Sequence, residues 1–193
     1  MSPAIPDSKS ALRREVQARL KALTPIQRAG LAAQARALLE QQAVWREAKS
    51  ILFFAPTPEE LDVWPLLRDA LAAGKTAALP RFMPATGRYA ACPVQDPGVD
   101  VTPGHLGIRE PIARCAATLL TQLDLILVPG IAFDPHLHRL GRGKGFYDRL
   151  LAELQGRTCG VAFDQQIVAE VPVEAHDRRL DCLFTPTRWI EIK

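Results

Sequence analysis

DLILVP, residues 124–129, and SILFFA, residues 50–55, decide the fold. Both are short, apolar along nearly their whole length rather than at alternate positions, and closed by proline, at Pro129 and Pro56. A strand that is apolar on both faces is buried on both, the mark of a parallel sheet covered by helices. Working outward, TAALP at 76–80, RYAACPV at 88–94, TCGVAF at 158–163 and segments near 182–185 and 188–192 also read as strands. Between and before them the period changes. Residues 9–23 place Leu12, Val16, Leu20 and Leu23 at steps of three and four, which predicts an amphipathic helix. Thr24 and Pro25 supply an N-cap and first-turn proline for a second helix reaching about Gln42. Asp62 caps another, with Pro65 in its first turn and Gly74 at its end, and a fourth is expected over 145–154. Residues 95–111, with Pro97, Gly98, Pro103, Gly104, Gly107 and Pro111, read as a long loop of the kind that carries function. The pattern predicts a single α/β domain over 1–193: three layers, α/β/α, around a mostly parallel, Rossmann-like sheet with the N-terminal helices packed on it.

A chain of 193 residues, 48% hydrophobic and 23% charged, buries a full core without staples. No apolar run approaches the roughly 20 residues that span a membrane. A net charge of +3 is too mild to nominate a nucleic-acid partner. Cys92, Cys115, Cys159 and Cys182 lie far apart with no CxxC, so free buried thiols are expected. Residues 1–12 have no apolar core, so neither a signal nor a transit peptide is expected, and a cytoplasmic monomer is the default.

In parallel sheets ligands sit beyond the carboxyl ends of the strands, here after Ala55, Pro80 and Pro129. The last of these loops reads GIAFDPHLHRLGRGKGFYDR, 130–149, with Gly141, Gly143 and Gly145 falling in five positions. Alternating glycines let backbone N–H groups approach an anion, and Arg139, Arg142 and Lys144 add charge, so the segment reads as a phosphate cradle rather than a solvated basic turn. It is not a P-loop: Lys144 is followed by Gly145, and His138 stands at the first glycine's place. Nor is it GxGxxG, since Phe146 takes the third glycine's place. Asp148 is placed either to hold magnesium or simply to favour a helix dipole, and Asp177, in EAHDRR, is a second acidic candidate. Lys9 and Arg13, four apart, share one helix face that is either solvated or turned to a ligand. Glu59 and Glu60 stand beyond the first strand, where a carboxylate can accept hydrogen bonds from a heterocycle. Phe146 and Tyr147 serve equally as ring-stacking surfaces or helix core, and His136 and His138 read as polar loop residues.

The run FDPHLHRLGRGKGFYDRLL, 133–151, resembles the signature of the 5-formyltetrahydrofolate cyclo-ligase family. KSALR at 9–13, the segment ending in Glu60, LPRF at 79–82, GIREP at 107–111 and the tail 160–186 are similar in order. The resemblance implies closure of 5-formyltetrahydrofolate to 5,10-methenyltetrahydrofolate with ATP and Mg2+, releasing ADP and phosphate. It implies ATP contacts from Lys9, Arg13, Arg139, Leu140, Gly141, Arg142, Gly143, Lys144, Gly145, Phe146 and Tyr147. By the same likeness Ala55 and Glu60 line the folate site with Arg142, Gly143, Lys144, Gly145 and Phe146. Asp148 and Asp177 serve magnesium, and Arg142 and Lys144 act on the transferring phosphoryl group. One departure stands out: the family commonly has glycine where this chain has Leu137. If that position takes a positive φ, leucine bears a steric cost or the turn is rebuilt. A non-catalytic relative that binds folate or another phosphorylated ligand is the competing expectation.

Overall fold

The computed structural model describes residues 5–104, 107–117, 123–143, 147, 150–151, 155–174 and 177–191. Its helices are α1 (Ile5–Lys21), α2 (Pro25–Glu40), α3 (Ala43–Glu47), α4 (Trp64–Ala72) and the single turn α5 (Pro97–Asp100). The strands are β1 (Ser50–Leu52), β2 (Thr76–Met83), β3 (Arg88–Val94), β4 (Val101–Pro103), β5 (Arg109–Pro111), β6 (Leu125–Pro129), β7 (Ala132–Phe133), β8 (Arg139–Leu140), β9 (Arg157–Val161), β10 (Cys182–Phe184) and β11 (Trp189–Glu191).

The main sheet has the order β11-β10-β9-β6-β1-β2-β3. Its five inner strands run parallel, and β11 and β3 close the edges antiparallel. The chain leaves β1 for β2 on one side and returns to β6 on the other, so the strand order reverses at β1 and opens a crevice beyond its carboxyl end. Side chains divide by alternation. Ile51, Leu125, Leu127, Cys159 and Phe184 face the layer that carries Val16, Leu20, Ala35, Leu39 and Leu66 of the helices. Leu52, Ile126, Val128 and Leu183 face Leu150, Leu151, Leu137 and Leu180. The α/β reading and the packing of the N-terminal helices on the sheet are therefore observed. All four cysteines are buried and free, and no helix among the described residues is long and apolar enough to cross a membrane.

Local chemistry explains the boundaries. Thr24 Oγ1 accepts from the Gln27 N–H and Gln27 Oε1 from the Thr24 N–H, a reciprocal cap on α2. Val63, and not the expected Asp62, stands at the N-cap of α4; Asp62, one residue earlier, accepts from the Trp64 N–H, and Gly74 follows the helix end at φ +74°. The structure corrects three further expectations. The second helix stops at Glu40, and Trp45 anchors the separate short α3 in the core. The second strand runs on through Pro80 to Met83, because β1 no longer flanks β2 beyond Ala78 and proline's missing N–H costs nothing there. The expected long loop over 95–111 instead carries α5 and, among its described residues, the paired strands β4 and β5. Asp100 locks this unit, accepting from the Gln95 and Asp96 N–H groups and from Arg114. These donors hold its carboxyl at about 2.

The β7–β8 hairpin turns at Leu137, with φ 67°, the only non-glycine at positive φ among the described residues. Its side chain is 1% exposed, in the core beside Leu150 and Leu180. Leucine is thus retained in a glycine conformation because it fills space. Replacing Leu137 with glycine relieves about 1 kcal/mol of left-handed strain but empties a buried site worth about 3 kcal/mol. Leu137→Gly is expected to lower unfolding stability by about 2 kcal/mol in a denaturant titration, the difference between those two terms.

Candidate active site

The crevice at the switch point is a cavity of about 450 Å³, within the usual range for small-molecule sites. Phe54, Ala55 and Glu60 reach it after β1, Pro80 from β2, Tyr89 from β3, and Pro129, Gly130 and Ile131 after β6. Arg13 and Gln17 come from α1, and Ile108, Arg109 and Glu110 from the β4–β5 hairpin. The remaining wall is the glycine-rich loop: Arg139, Gly141, Arg142, Gly143 and Tyr147. Its lining is mixed: guanidinium groups from Arg13, Arg109, Arg139 and Arg142, and aromatic or aliphatic surfaces from Phe54, Pro80, Tyr89, Ile131 and Tyr147.

The loop is positioned from beneath. Asp134, fully buried, accepts from the N–H groups of His136, His138 and Val171, and Oδ2 meets His138 Nδ1 at 3.1 Å. Arg179 Nε donates to His138 Nε2 at 2.9 Å, so the His138 proton sits on Nδ1, facing Asp134. His136 and His138 are therefore polar loop residues as expected, and His138 completes the support of the turn. Gly130 is needed for close approach: a Cβ there would lie 2.7 Å from Phe133 Cζ and 2.9 Å from Arg139 Cγ. From above, Arg13 Nε donates to the Gly141 carbonyl at 2.9 Å, joining α1 to the loop. Gly143 takes φ +90°, which a side chain resists.

The charged side chains are held in pairs. Lys9 Nζ lies 2.8 Å from Glu174 Oε2 and 2.7 Å from Asp177 Oδ2, one helical turn from Arg13. Burial disfavours the Lys9 ammonium, but the hydrogen bonds to Asp177 and Glu174 outweigh it, and its pKa lies above the ordinary lysine value. Arg142 Nη2 donates to Glu60 Oε1 at 2.9 Å and to Thr57 Oγ1 at 3.0 Å, bridging the glycine loop to the loop after β1. The buried guanidinium of Arg139 donates to the Pro129 carbonyl at 3.4 Å and lies over the Tyr147 ring at 5.7 Å. Burial, then the charge of Glu60, pushes the Tyr147 phenol far above its ordinary value, so it is a neutral hydrogen-bonding group and not a base.

Of the expected site residues, Arg13, Ala55, Glu60, Arg139, Gly141, Arg142, Gly143 and Tyr147 meet at this cavity. Lys9 and Asp177 are brought together beside it, while Leu140 is buried in β8 with its carbonyl accepting from Ile131. Lys144, Gly145, Phe146 and Asp148 lie outside the described residues. Among the described residues no group of three or more His, Cys, Asp or Glu is placed to hold a metal by itself. Asp177 offers the hard carboxylate oxygen that magnesium takes, and here it pairs with Lys9. Gln17, Thr57, Tyr89 and Glu110 escaped the sequence reading. Gln17 was visible as the residue one turn after Arg13, and Glu110 as part of GIREP.

Comparison with known proteins agrees with this geometry. The profile of the 5-formyltetrahydrofolate cyclo-ligase family matches residues 5–186. The 5-formyltetrahydrofolate cyclo-ligase of Escherichia coli is 32% identical over 177 residues, covering 90% of this chain and 97% of that protein. The Mycolicibacterium smegmatis protein of the same name is 31% identical, covering 96% and 97%. The structure of Aquifex aeolicus 5,10-methenyltetrahydrofolate synthetase superposes with a TM-score of 0.86 at 31% identity, over 95% of this chain and 92% of that one.

The Lys9–Asp177 contact, with side chains 12% and 15% exposed, is shielded enough to matter. A double-mutant cycle with Lys9→Met and Asp177→Asn is expected to give a coupling of about 1–2 kcal/mol in unfolding stability, more than a surface pair gives.

Proposed function

The chain belongs to the 5-formyltetrahydrofolate cyclo-ligase family, and from that membership we propose that its cavity closes 5-formyltetrahydrofolate to 5,10-methenyltetrahydrofolate at the expense of ATP, with magnesium. The observation that carries the reading is the meeting of α1 with the glycine-rich loop, through Arg13 and the Gly141 carbonyl, over a cavity lined by both guanidinium groups and flat apolar side chains. The guanidinium groups suit a triphosphate and the flat apolar side chains a heterocycle.

In the proposed reaction the formyl oxygen attacks the γ-phosphorus, an O–P bond forms, and the bond to ADP breaks. N10 then adds to the activated formyl carbon and loses its proton, and the C–O bond breaks to release phosphate and the methenyl product. The formyl oxygen ends in phosphate, and no protein nucleophile is required. Phosphoryl transfer asks chiefly for positioning and charge neutralisation. Arg13 and Arg142 supply positive charge at the loop, and Glu60 aims Arg142 across the cavity. Backbone N–H groups around Gly141 and Gly143 complete the phosphate surface, with Lys144 adjoining in sequence. Lys9, paired here with Asp177 and Glu174, would offer its ammonium to the phosphates when ATP is bound. Magnesium, held by Asp177 with Asp148, would neutralise phosphate charge.

The direct test follows the near-ultraviolet absorbance of the methenyl product after 5-formyltetrahydrofolate, magnesium and ATP are mixed with the protein. A rise only when ATP is present is expected, and no rise overturns the reading. Arg142→Ala should lower kcat/KM by about 100-fold through loss of positive charge at the transferring group. Activity within a few-fold of the unaltered protein would remove Arg142 from the machinery.

A further inference from the structure

Among the described residues two carboxylates line the cavity, and they differ in what they already hold. Glu60 is engaged on both oxygens: Oε1 accepts from Arg142 and Oε2 from the Thr57 N–H at 2.8 Å. Glu110, in the middle of β5, is 7% exposed and accepts only from the Phe82 N–H, at 3.1 Å to Oε2. Among the described residues no cation pairs with Glu110 and no donor meets its other oxygen. A carboxylate so nearly buried with a single neutral donor is costly unless something in the cavity completes its hydrogen bonding.

Its direction is fixed. The Glu110 stem packs on Gly104, where a Cβ would come within 2.7 Å of Cγ and Cδ, so the hairpin partner leaves the side chain no room to swing back. Phe54, Pro80, Tyr89 and Ile108 line the same cavity with flat or aliphatic surface, Arg139 and Arg142 come from the glycine-rich loop and Arg13 from α1, and the neighbouring Arg109 is engaged with the Pro97 carbonyl and the Trp64 ring. An unneutralised carboxylate repels a triphosphate, so Glu110 marks the end of the cavity that takes the other ligand. The group that satisfies it is a flat heterocycle with two adjacent N–H donors, matching two carboxylate oxygens as a guanidinium does.

We propose that Glu110 is the residue that recognises the pterin ring, its carboxylate accepting from N3–H and the 2-amino group of the folate. The inference rests on the folate reading above and adds to it a specificity-determining residue. Glu60 then serves chiefly to orient Arg142, and Glu110 fixes which way round the folate lies.

The test compares unaltered protein with Glu110→Gln, and 5-formyltetrahydrofolate with its analogue bearing methyl in place of the 2-amino group. The glutamine oxygen can keep the Phe82 hydrogen bond while its NH2 group confronts the ligand's donors. KM for 5-formyltetrahydrofolate should rise by about 10- to 100-fold in the variant, with KM for ATP and the melting temperature unchanged. The analogue should lose a similar factor with the unaltered protein and nothing further with the variant. An unchanged folate KM in a folded variant, or an analogue used as well as the natural substrate by the unaltered protein, overturns the assignment. The second comparison needs no variant to fold. If the unaltered protein makes no methenyl product from 5-formyltetrahydrofolate, the folate reading itself falls and this assignment with it.

Discussion

A buried carboxylate, Asp134, holds the candidate site in shape. With no exposure to solvent it would be strongly destabilising alone, yet three backbone N–H groups and the His138 ring converge on it. Two of those N–H groups belong to the turn between β7 and β8, so satisfying the charge and forming the turn are one event. That turn forces Leu137 into a left-handed conformation and sends β8 back beneath the cavity, where it emerges as the glycine-rich loop. The Val171 N–H and the Arg179 contact to His138 draw in the segment before β10, which also carries Glu174 and Asp177. The support of the loop and the placement of the acidic pair thus share one anchor.

The second feature of the site is that most of its described charges are neutralised in advance. Lys9 with Asp177 and Glu174, and Arg142 with Glu60, are ion pairs whose partners lie on different segments of the chain. Ionised groups at the edge of a cavity cannot be left uncompensated cheaply, and the pairs keep them charged while the phosphates are absent. An arriving polyphosphate exchanges one set of partners for another, so the net cost of recruiting a cation is smaller than its full desolvation. Among the carboxylates Glu110 is the exception, which is why it says most about the ligand.

Much of this was legible in the residues. The apolar runs at 50–55 and 124–129, alternating with amphipathic helices, pointed to a parallel sheet covered on both faces. Thr24, Asp62 and Gly74 marked helix ends by local chemistry that survived folding. The glycine-rich loop was singled out by residue type and spacing, Arg13 by the family resemblance alone, and the two do meet. What sequence could not supply was pairing over long range. The β4–β5 hairpin is hidden within a proline- and glycine-rich stretch whose ladder spans only three residue pairs. Asp134 looks like any loop aspartate until four donors from two segments are seen around it. Leu137 drew notice as a glycine position without glycine, but only packing shows that its side chain is wanted in the core.

The arrangement of a cationic loop facing an apolar slot has one chemical purpose in the proposed reaction, to bring the formyl oxygen to the γ-phosphorus. The measurement that tests this most directly uses 5-formyltetrahydrofolate carrying a heavy oxygen isotope in its formyl group, followed by mass analysis of the released phosphate. Transfer through a phosphorylated formyl oxygen requires the label to appear in inorganic phosphate in proportion to product. Label released into water, with unlabelled phosphate, would contradict it.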